Sequence, residues 1–304
     1  MCAKTGRRSL SCYFTIEPDK KGLPRFCLNH EPLFLNGVLD QGYWPDGLYT
    51  APSDEALIYD IQTMKNLGFN MIRKHVKVET ARWYYHCDRL GMIVWQDMVN
   101  GGTYNAPFMT WLPALFPKFK LHTSDRIHPL FGRKNVHGRE EFIRECKETV
   151  TALKAFPCIS TWVIFNEGWG QFDSKKLTAL FRELDDTRLI DSASGWFDRR
   201  QGDFKSEHNY FAKQFVTPSD RAFVISEYGG YTCQVKGHTC SGKTYGYKIC
   251  SSQEEFQAAY HKLMSEEIDP LKEQGLCGAV YTQLSDIEDE INGLITYDRE
   301  VCKL

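Results

Sequence analysis

At 304 residues the chain is long for one hydrophobic core but fits a single α/β barrel, which needs about 250 residues. Charge is nearly balanced, 37 Lys and Arg against 39 Asp and Glu, so no broad field is available to hold nucleic acid or a membrane surface. No stretch approaches the roughly 20 apolar residues of a membrane span.

Residues 1–32 read as a polar tail, with a short strand over Ser11–Thr15 and a turn at E-P-D-K-K-G. From Leu33 a repeating pattern begins. A first strand, Leu33–Leu39, is followed by a helix capped at Ser53, with apolar residues at Leu57, Ile58, Ile61, Met64 and Leu67, and stopped at Gly68. A second strand, Phe69–Ile72, ends in Arg73-Lys74-His75, and a helix over Glu79–Leu90 follows. A third, Met92–Trp95, ends in Gln96-Asp97. Residues 98–138, which include Trp111, break the rhythm; a loop so long and aromatic is expected to form a lid or a site wall.

A helix over Arg139–Ala155 leads to a fourth strand, Ile159–Phe165. Its run of apolar and small residues is that of a strand buried on both faces. It ends in Asn166-Glu167, next to Gly168 and Trp169. A helix over Ser174–Asp185, a fifth strand at Arg188–Ser192 and a very short sixth at Glu207–Tyr210 come next. The seventh, Ala222–Ile225, ends in Ser226-Glu227. The loop 231–251 is polar and rich in Gly and Cys. The eleven cysteines are scattered without a C-x-x-C pair, which predicts free thiols in a reducing cytoplasm. Cys233, His238, Cys240 and Cys250 match no common zinc spacing, so neither metal nor cofactor is expected. A long helix, Gln253–Gln274, broken near Pro270, precedes an eighth strand, Cys277–Tyr281, that ends at Gln283.

Eight strands alternating with helices predict a (β/α)8 TIM barrel. The alternative, an open doubly wound sheet, lacks a G-x-G-x-x-G turn or a P-loop. Strand ends of a barrel share one rim, where its active site lies. Two carboxylates there, Glu167 and Glu227, each end a buried strand before glycine. A charge so placed is costly without a partner or a task. A facing pair suits glycoside hydrolysis, in which one group protonates the leaving oxygen and the other attacks or activates water. Asn166 can donate to a sugar hydroxyl, and Arg73 and Tyr210 can hold Glu227 ionised. A metal-dependent hydrolase using His75, His208 and Asp97 is the competing chemistry, and a non-catalytic carbohydrate-binding barrel the competing class.

The segments G-F-N-M-I-R-K-H (68–75), G-M-I-V-W-Q-D (91–97), F-N-E-G-W (165–169), E-H-N-Y (207–210) and V-I-S-E-Y-G-G (224–230) resemble the barrel of glycoside hydrolase family 2, with its β-galactosidases, β-glucuronidases and β-mannosidases. The resemblance implies a retaining mechanism, with Glu167 as acid/base and Glu227 as nucleophile. It implies Arg73, Asn166, His208 and Tyr210 as site residues; His75, Asp97, Trp169 and Gln283 match rim positions. A terminal β-galactoside is the expected substrate, β-glucuronides next. Family members carry β-sandwich domains that pack on the barrel. Residues 1–32 read as a tail or the remnant of one, and 33–304 as the barrel. The barrel is expected to be truncated before its eighth helix, leaving apolar surface exposed beside strands one and eight.

Overall fold

The computed structural model describes residues 12–111, 113, 123–240, 242 and 245–304. Ser11, the side chain of Trp111, and residues 112 and 114–122 of the long loop lie outside the described residues.

The chain opens with three antiparallel strands, β1 (Phe14–Pro18), β2 (Pro24–Leu28) and β3 (Glu31–Pro32). Eight parallel strands follow: β4 (Leu35–Asp40), β5 (Met71–Lys74), β6 (Ile93–Asp97), β7 (Ile159–Val163), β8 (Leu189–Asp191), β9 (Phe204–Asn209), β10 (Ala222–Gly229) and β13 (Leu276–Thr282). Their hydrogen-bonded order is β8-β7-β6-β5-β4-β13-β10-β9, which brings the edges β8 and β9 together and makes a nearly closed TIM barrel. Between β10 and β13, Tyr231–Cys233 (β11) and Lys248–Cys250 (β12) pair as a small parallel ribbon.

Side chains alternate in and out along each strand. Inward-facing Leu35, Leu39, Met71, Trp95, Val163, Leu189, Phe204, Val224 and Val280 fill the lower barrel, and Phe14 and Phe26 of the opening hairpin join the same cluster from below. Outward-facing Val38, Ile72, Val94, Trp162, Ile190 and Ile225 pack beneath the helices. The alternation separates Arg73, which points inside, from Lys74, which points out and pairs with Asp40 at 2.5 Å and Glu79 at 3.2 Å. Asp40 therefore does not join the rim.

Helix α1 (Asp54–Asn66) starts as expected, with the Ser53 hydroxyl accepting from the amide of Ala56. Helix α2 (Ala81–Leu90) begins two residues later than Glu79, whose carboxylate is tied to Lys74 and Lys77. Helix α3 (Val136–Leu153) begins earlier than Arg139 because Asn135 caps it. Helix α4 spans Ser174–Leu184, and α5 (Gln253–Leu263) passes through a π turn at Met264–Ile268 into the short α6 (Asp269–Lys272).

Two strands run longer than their apolar residues suggest. β9 starts at Phe204, because Ser206 fills an inward position by bonding Asp191. β10 runs on through Ser226 and Glu227, with an irregularity in its register after Ile225.

Among the described residues no helix follows β13. Residues 284–304 pack instead as an irregular segment between α5 and α1. Leu284, Ile291, Leu294 and Ile295 are buried; Arg299 pairs with Asp60 at 3.2 Å and Lys303 with Asp286 at 2.6 Å. Gln253 and Gln257 of α5 donate to the carbonyls of Cys302 and Lys303. β4 and β13 contain no exposed residue, so the apolar surface expected beside strands one and eight is absent: this segment covers it.

Among the described residues nine cysteines are free thiols, as expected, but Cys12 is disulfide-bonded, against that expectation. No described helix is long and apolar enough to cross a membrane.

Candidate active site

The interior of the barrel turns from apolar to polar at one level. Arg73 on β5 is fully buried, a position that requires every donor to be matched. Its guanidinium grips Asp97 of β6 with two parallel bonds of 2.9 Å. It also donates to a Glu227 oxygen at 3.0 Å, the Ser226 carbonyl at 3.1 Å and the Asn166 side-chain oxygen at 2.8 Å. One planar cation therefore ties together β5, β6, the end of β7 and β10. Burial pushes the Asp97 carboxyl up, but Arg73 outweighs it and holds it below the usual range. His75 Nδ1 shares the Asp97 Oδ2 with Arg73, at 3.0 Å; burial opposes its charged form, but the carboxylate wins and raises its pKa.

Glu227 accepts from Arg73 on one oxygen and from the Tyr210 hydroxyl, at 2.5 Å, on the other. Tyr210 also meets the Thr282 hydroxyl at 3.0 Å. Glu167 stands opposite. Its backbone has φ +53°, the left-handed region, and Gly168 continues that turn with φ +71°. A Cβ on Gly168 would lie 2.4 Å from the Phe197 ring, so only glycine lets the turn seat there. The Glu167 side chain keeps a quarter of its surface open at the mouth. Burial nevertheless raises its pKa to about 7, against the pull of His75 and Arg73.

His208 lies between the two carboxylates. Its Nδ1 is 3.0 Å from Glu167, and its Nε2 is 3.5 Å from Glu227 and 3.1 Å from the Ser194 hydroxyl. Burial lowers its pKa to about 4, so it is a neutral ring. Glu167, His208 and Glu227 present ligand-type atoms all within 4.8 Å of one another, the one such group among the described residues. Among the described residues His75, His208 and Asp97 form no group at ligand distance: His75 bonds Asp97, whereas His208 meets Glu167 and Glu227. Cys233, His238, Cys240 and Cys250 form no such group either; His238 bonds Asp298.

Of the residues expected at the rim, Arg73, His75, Asp97, Asn166, Glu167, His208, Tyr210 and Glu227 form one connected network. Trp169 and Gln283 lie outside it. The Trp169 indole donates to the Gly102 carbonyl and meets Tyr104 edge-on, on the wall built by the long loop. Phe108, Met109 and Phe131 of that loop pack with Trp196 and Phe197. Gln283 joins an amide cluster with Gln41, Asn292 and, through Gln41, Glu290. Sequence reading missed Ser194, Ser226, Thr282 and Asp191. The first three are small hydroxyls that serve the network, with nothing in type or spacing to mark them. Asp191 lies inside β8, bonded to Ser206, and burial raises its pKa to about 7.

Comparison with known proteins places this arrangement. Residues 21–302 match Glycosyl hydrolases family 2, TIM barrel domain. A β-galactosidase of Priestia megaterium is 24% identical over 213 residues, 64% of this chain and 17% of the relative. A putative β-glucuronidase of Formosa agariphila is 25% identical over 176 residues, 56% of this chain and 14% of the relative. Among solved structures, a GH2 β-galacturonidase from Eisenbergiella tayi bound to galacturonate superposes with a TM-score of 0.67 at 16% identity, over 96% of this chain and 52% of that one. The Parabacteroides merdae β-glucuronidase gives 0.66 at 15%, over 96% and 37%. The matched stretch thus spans less than a fifth of either relative and about half or less of the solved chains. The match over residues 21–302 covers most of the sequence, and the chain belongs to the TIM barrel domain family of glycosyl hydrolases family 2.

Proposed function

We propose that the chain is a retaining β-glycoside hydrolase acting by double displacement, with Glu167 as acid/base and Glu227 as nucleophile. The observation that carries this is the separation of the two carboxylates, whose nearest oxygens lie within 4.8 Å. Retaining enzymes hold their carboxyl groups about 5–5.5 Å apart, whereas inverting ones leave about 6.5–9.5 Å for a water.

The surroundings divide the roles. A group with a pKa of about 7 still carries a proton near neutrality, as a general acid must. Glu167 gives that proton to the glycosidic oxygen while Glu227 attacks the anomeric carbon; the glycosidic bond breaks, the aglycone leaves as its alcohol, and a glycosyl-enzyme ester forms. The Glu167 carboxylate then takes a proton from water, which attacks the anomeric carbon and releases Glu227. Arg73 and Tyr210 fix the nucleophile's two oxygens, so little reorganisation remains for the reaction.

The substrate we assign is a terminal β-galactoside. Two cations of the β5 end are already engaged, Arg73 by Asp97 and Glu227 and Lys74 by Asp40 and Glu79. The wall beside β13 adds the Glu290 carboxylate and the amides of Gln41, Gln283 and Asn292, groups suited to hydroxyls. A β-glucuronide is the second reading, favoured by the name of the Formosa relative; a β-mannoside has no such support. The nine free thiols among the described residues favour a reducing setting, and the disulfide at Cys12 counts against it.

The test is Glu227→Gln and Glu167→Ala on a panel of nitrophenyl β-glycosides. Glu227→Gln is expected to remove turnover by a factor of about 10³ or more; undiminished turnover overturns the assignment. Glu167→Ala is expected to spare activated aryl substrates more than unactivated ones and to respond to azide. Equal losses without rescue would remove the acid/base role. The cluster of Glu167, His208 and Glu227 gives a metal reading its one observation; EDTA is expected to leave turnover intact, and loss restored by a divalent ion would favour that reading.

A further inference from the structure

We propose that Tyr247, in the loop between β11 and β12, is a positioning residue that holds the Tyr210 hydroxyl on Glu227. This rests on the assignment of Glu227 as nucleophile.

The Tyr247 ring lies on the Tyr210 ring with centroids 3.8 Å apart and planes 9° from parallel. Phe211 meets the edge of Tyr247 at 5.2 Å, and the Tyr247 phenol bonds that of Tyr245. The backbone is built for this contact. Directly after Glu227, β10 ends at Gly229 and continues through Gly230 into β11, which pairs with β12 from Tyr231↔Lys248 onward. Tyr247 is the residue before β12, and its amide donates to the Gly230 carbonyl at 3.1 Å. A Cβ on Gly230 would come within 2.4 Å of the Tyr247 ring. The strand that carries the nucleophile therefore also clamps the ring that braces Tyr210.

Such a brace has a purpose. Tyr210 lies at the end of β9 and lines a cavity of about 520 Å³ together with Tyr247, Phe211 and Gly229. Without the Tyr247 ring, the Tyr210 ring borders this cavity directly, and only its bonds to Glu227 and Thr282 hold the phenol in place. Two stacked aromatic rings attract each other beyond their burial, which biases the Tyr210 ring toward this rotamer.

The test is a double-mutant cycle in this chain on 4-nitrophenyl β-D-galactopyranoside: Tyr247→Ala, Tyr210→Phe and the pair. Tyr247→Ala is expected to lower kcat about 10- to 100-fold with KM within about threefold. In the Tyr210→Phe background the same change is expected to cost about twofold or less, because the hydroxyl it positions is gone. Tyr247→Phe keeps the stacked ring and is expected to restore most of kcat. Equal losses in both backgrounds, or no rescue by Phe, overturn the proposal. Tetranitromethane modification mapped by mass spectrometry gives a readout independent of turnover. Tyr210 is expected to nitrate several-fold faster in Tyr247→Ala than in the parent, and an unchanged rate overturns the brace. A parent without glycosidase activity but with this nitration pattern would refute the enzymatic reading while leaving the brace in place.

Discussion

Glu167 and Glu227 have the same polar end group in two environments, and their difference sets the expected pH dependence. As the proposed acid, Glu167 must hold its proton to assist departure, and burial places its pKa at about 7. Turnover of a substrate with a poor leaving group is therefore expected to fall as pH rises through about 7. With a 2,4-dinitrophenyl glycoside, whose leaving group needs no proton, the alkaline limb should vanish. A limb that persists at the same pH for both leaving groups would assign it to another group. Asp97 is the residue on which the buried cation depends. Asp97→Ala removes two of the bonds to Arg73 and the partner of His75. Breaking a buried pair on one side costs about 3–5 kcal/mol, so this variant is expected to lose stability as well as activity in a urea melt. A loss below about 1 kcal/mol would mean that Glu227, Asn166 and the Ser226 carbonyl suffice for Arg73.

At the scale of elements, the turn after β7 shows how backbone conformation places an acid. Glu167 and Gly168 both lie in the left-handed region, and Gly168 packs under Phe197. Gly168→Ala is expected to cost about 1–3 kcal/mol from backbone strain, plus displacement of Phe197. Gly242→Ala, at a glycine with nothing within 4 Å, is the control and should be silent. Equal Tm for both variants would show that the turn relaxes freely. The same element shows why part of the site was legible in the sequence. Glu167 and Glu227 stand out because apolar runs end on them and glycine follows, a local signal. Which face a residue takes was less visible where the pattern breaks, as in β9, whose Lys205 and Ser206 hide three residues of strand. Ser194, Thr282 and Tyr247 carried no signal at all, since their meaning arises from contacts across the barrel. Tyr210 and Thr282 are 72 residues apart in the chain, and Ser194 and Ser226 are 32. The covering of β4 and β13 by residues 284–304 was also illegible, because the segment is anchored by ion pairs and amides rather than by a helical stripe.

Over the whole molecule, burial has put several acids into the interior at a cost that depends on pH. Burial raises Glu167 and Asp191 to about 7 and Asp60 and Asp286 to about 6, the last two despite Arg299 and Lys303. Unfolded, such groups titrate near pH 4. Between about pH 4 and 7 the folded state therefore binds more protons than the unfolded one, and stability falls as pH rises. His75, raised by Asp97 against its burial, works in the same direction above its unfolded pKa of about 6.5. His208, lowered by burial to about 4, opposes it, since the unfolded ring takes up a proton that the folded ring refuses. Below about pH 6.5, four of these acids stand against the one opposing histidine, so the fall dominates. At the acid end Asp40 and Asp97 reverse the trend. Burial raises them, but Lys74 and Arg73 outweigh it, so their contribution is present above about pH 4 and lost below. Tm is thus expected to peak near pH 4 and to decline toward pH 8, in calorimetric scans at constant ionic strength. Asp191→Asn cannot ionise, keeps a polar partner for Ser206, and should flatten the decline between pH 5 and 7. A Tm that climbs steadily from pH 5 to 8 would mean that these carboxyls are solvated in the folded barrel, and the raised pKa of Glu167 would lose its physical basis with them.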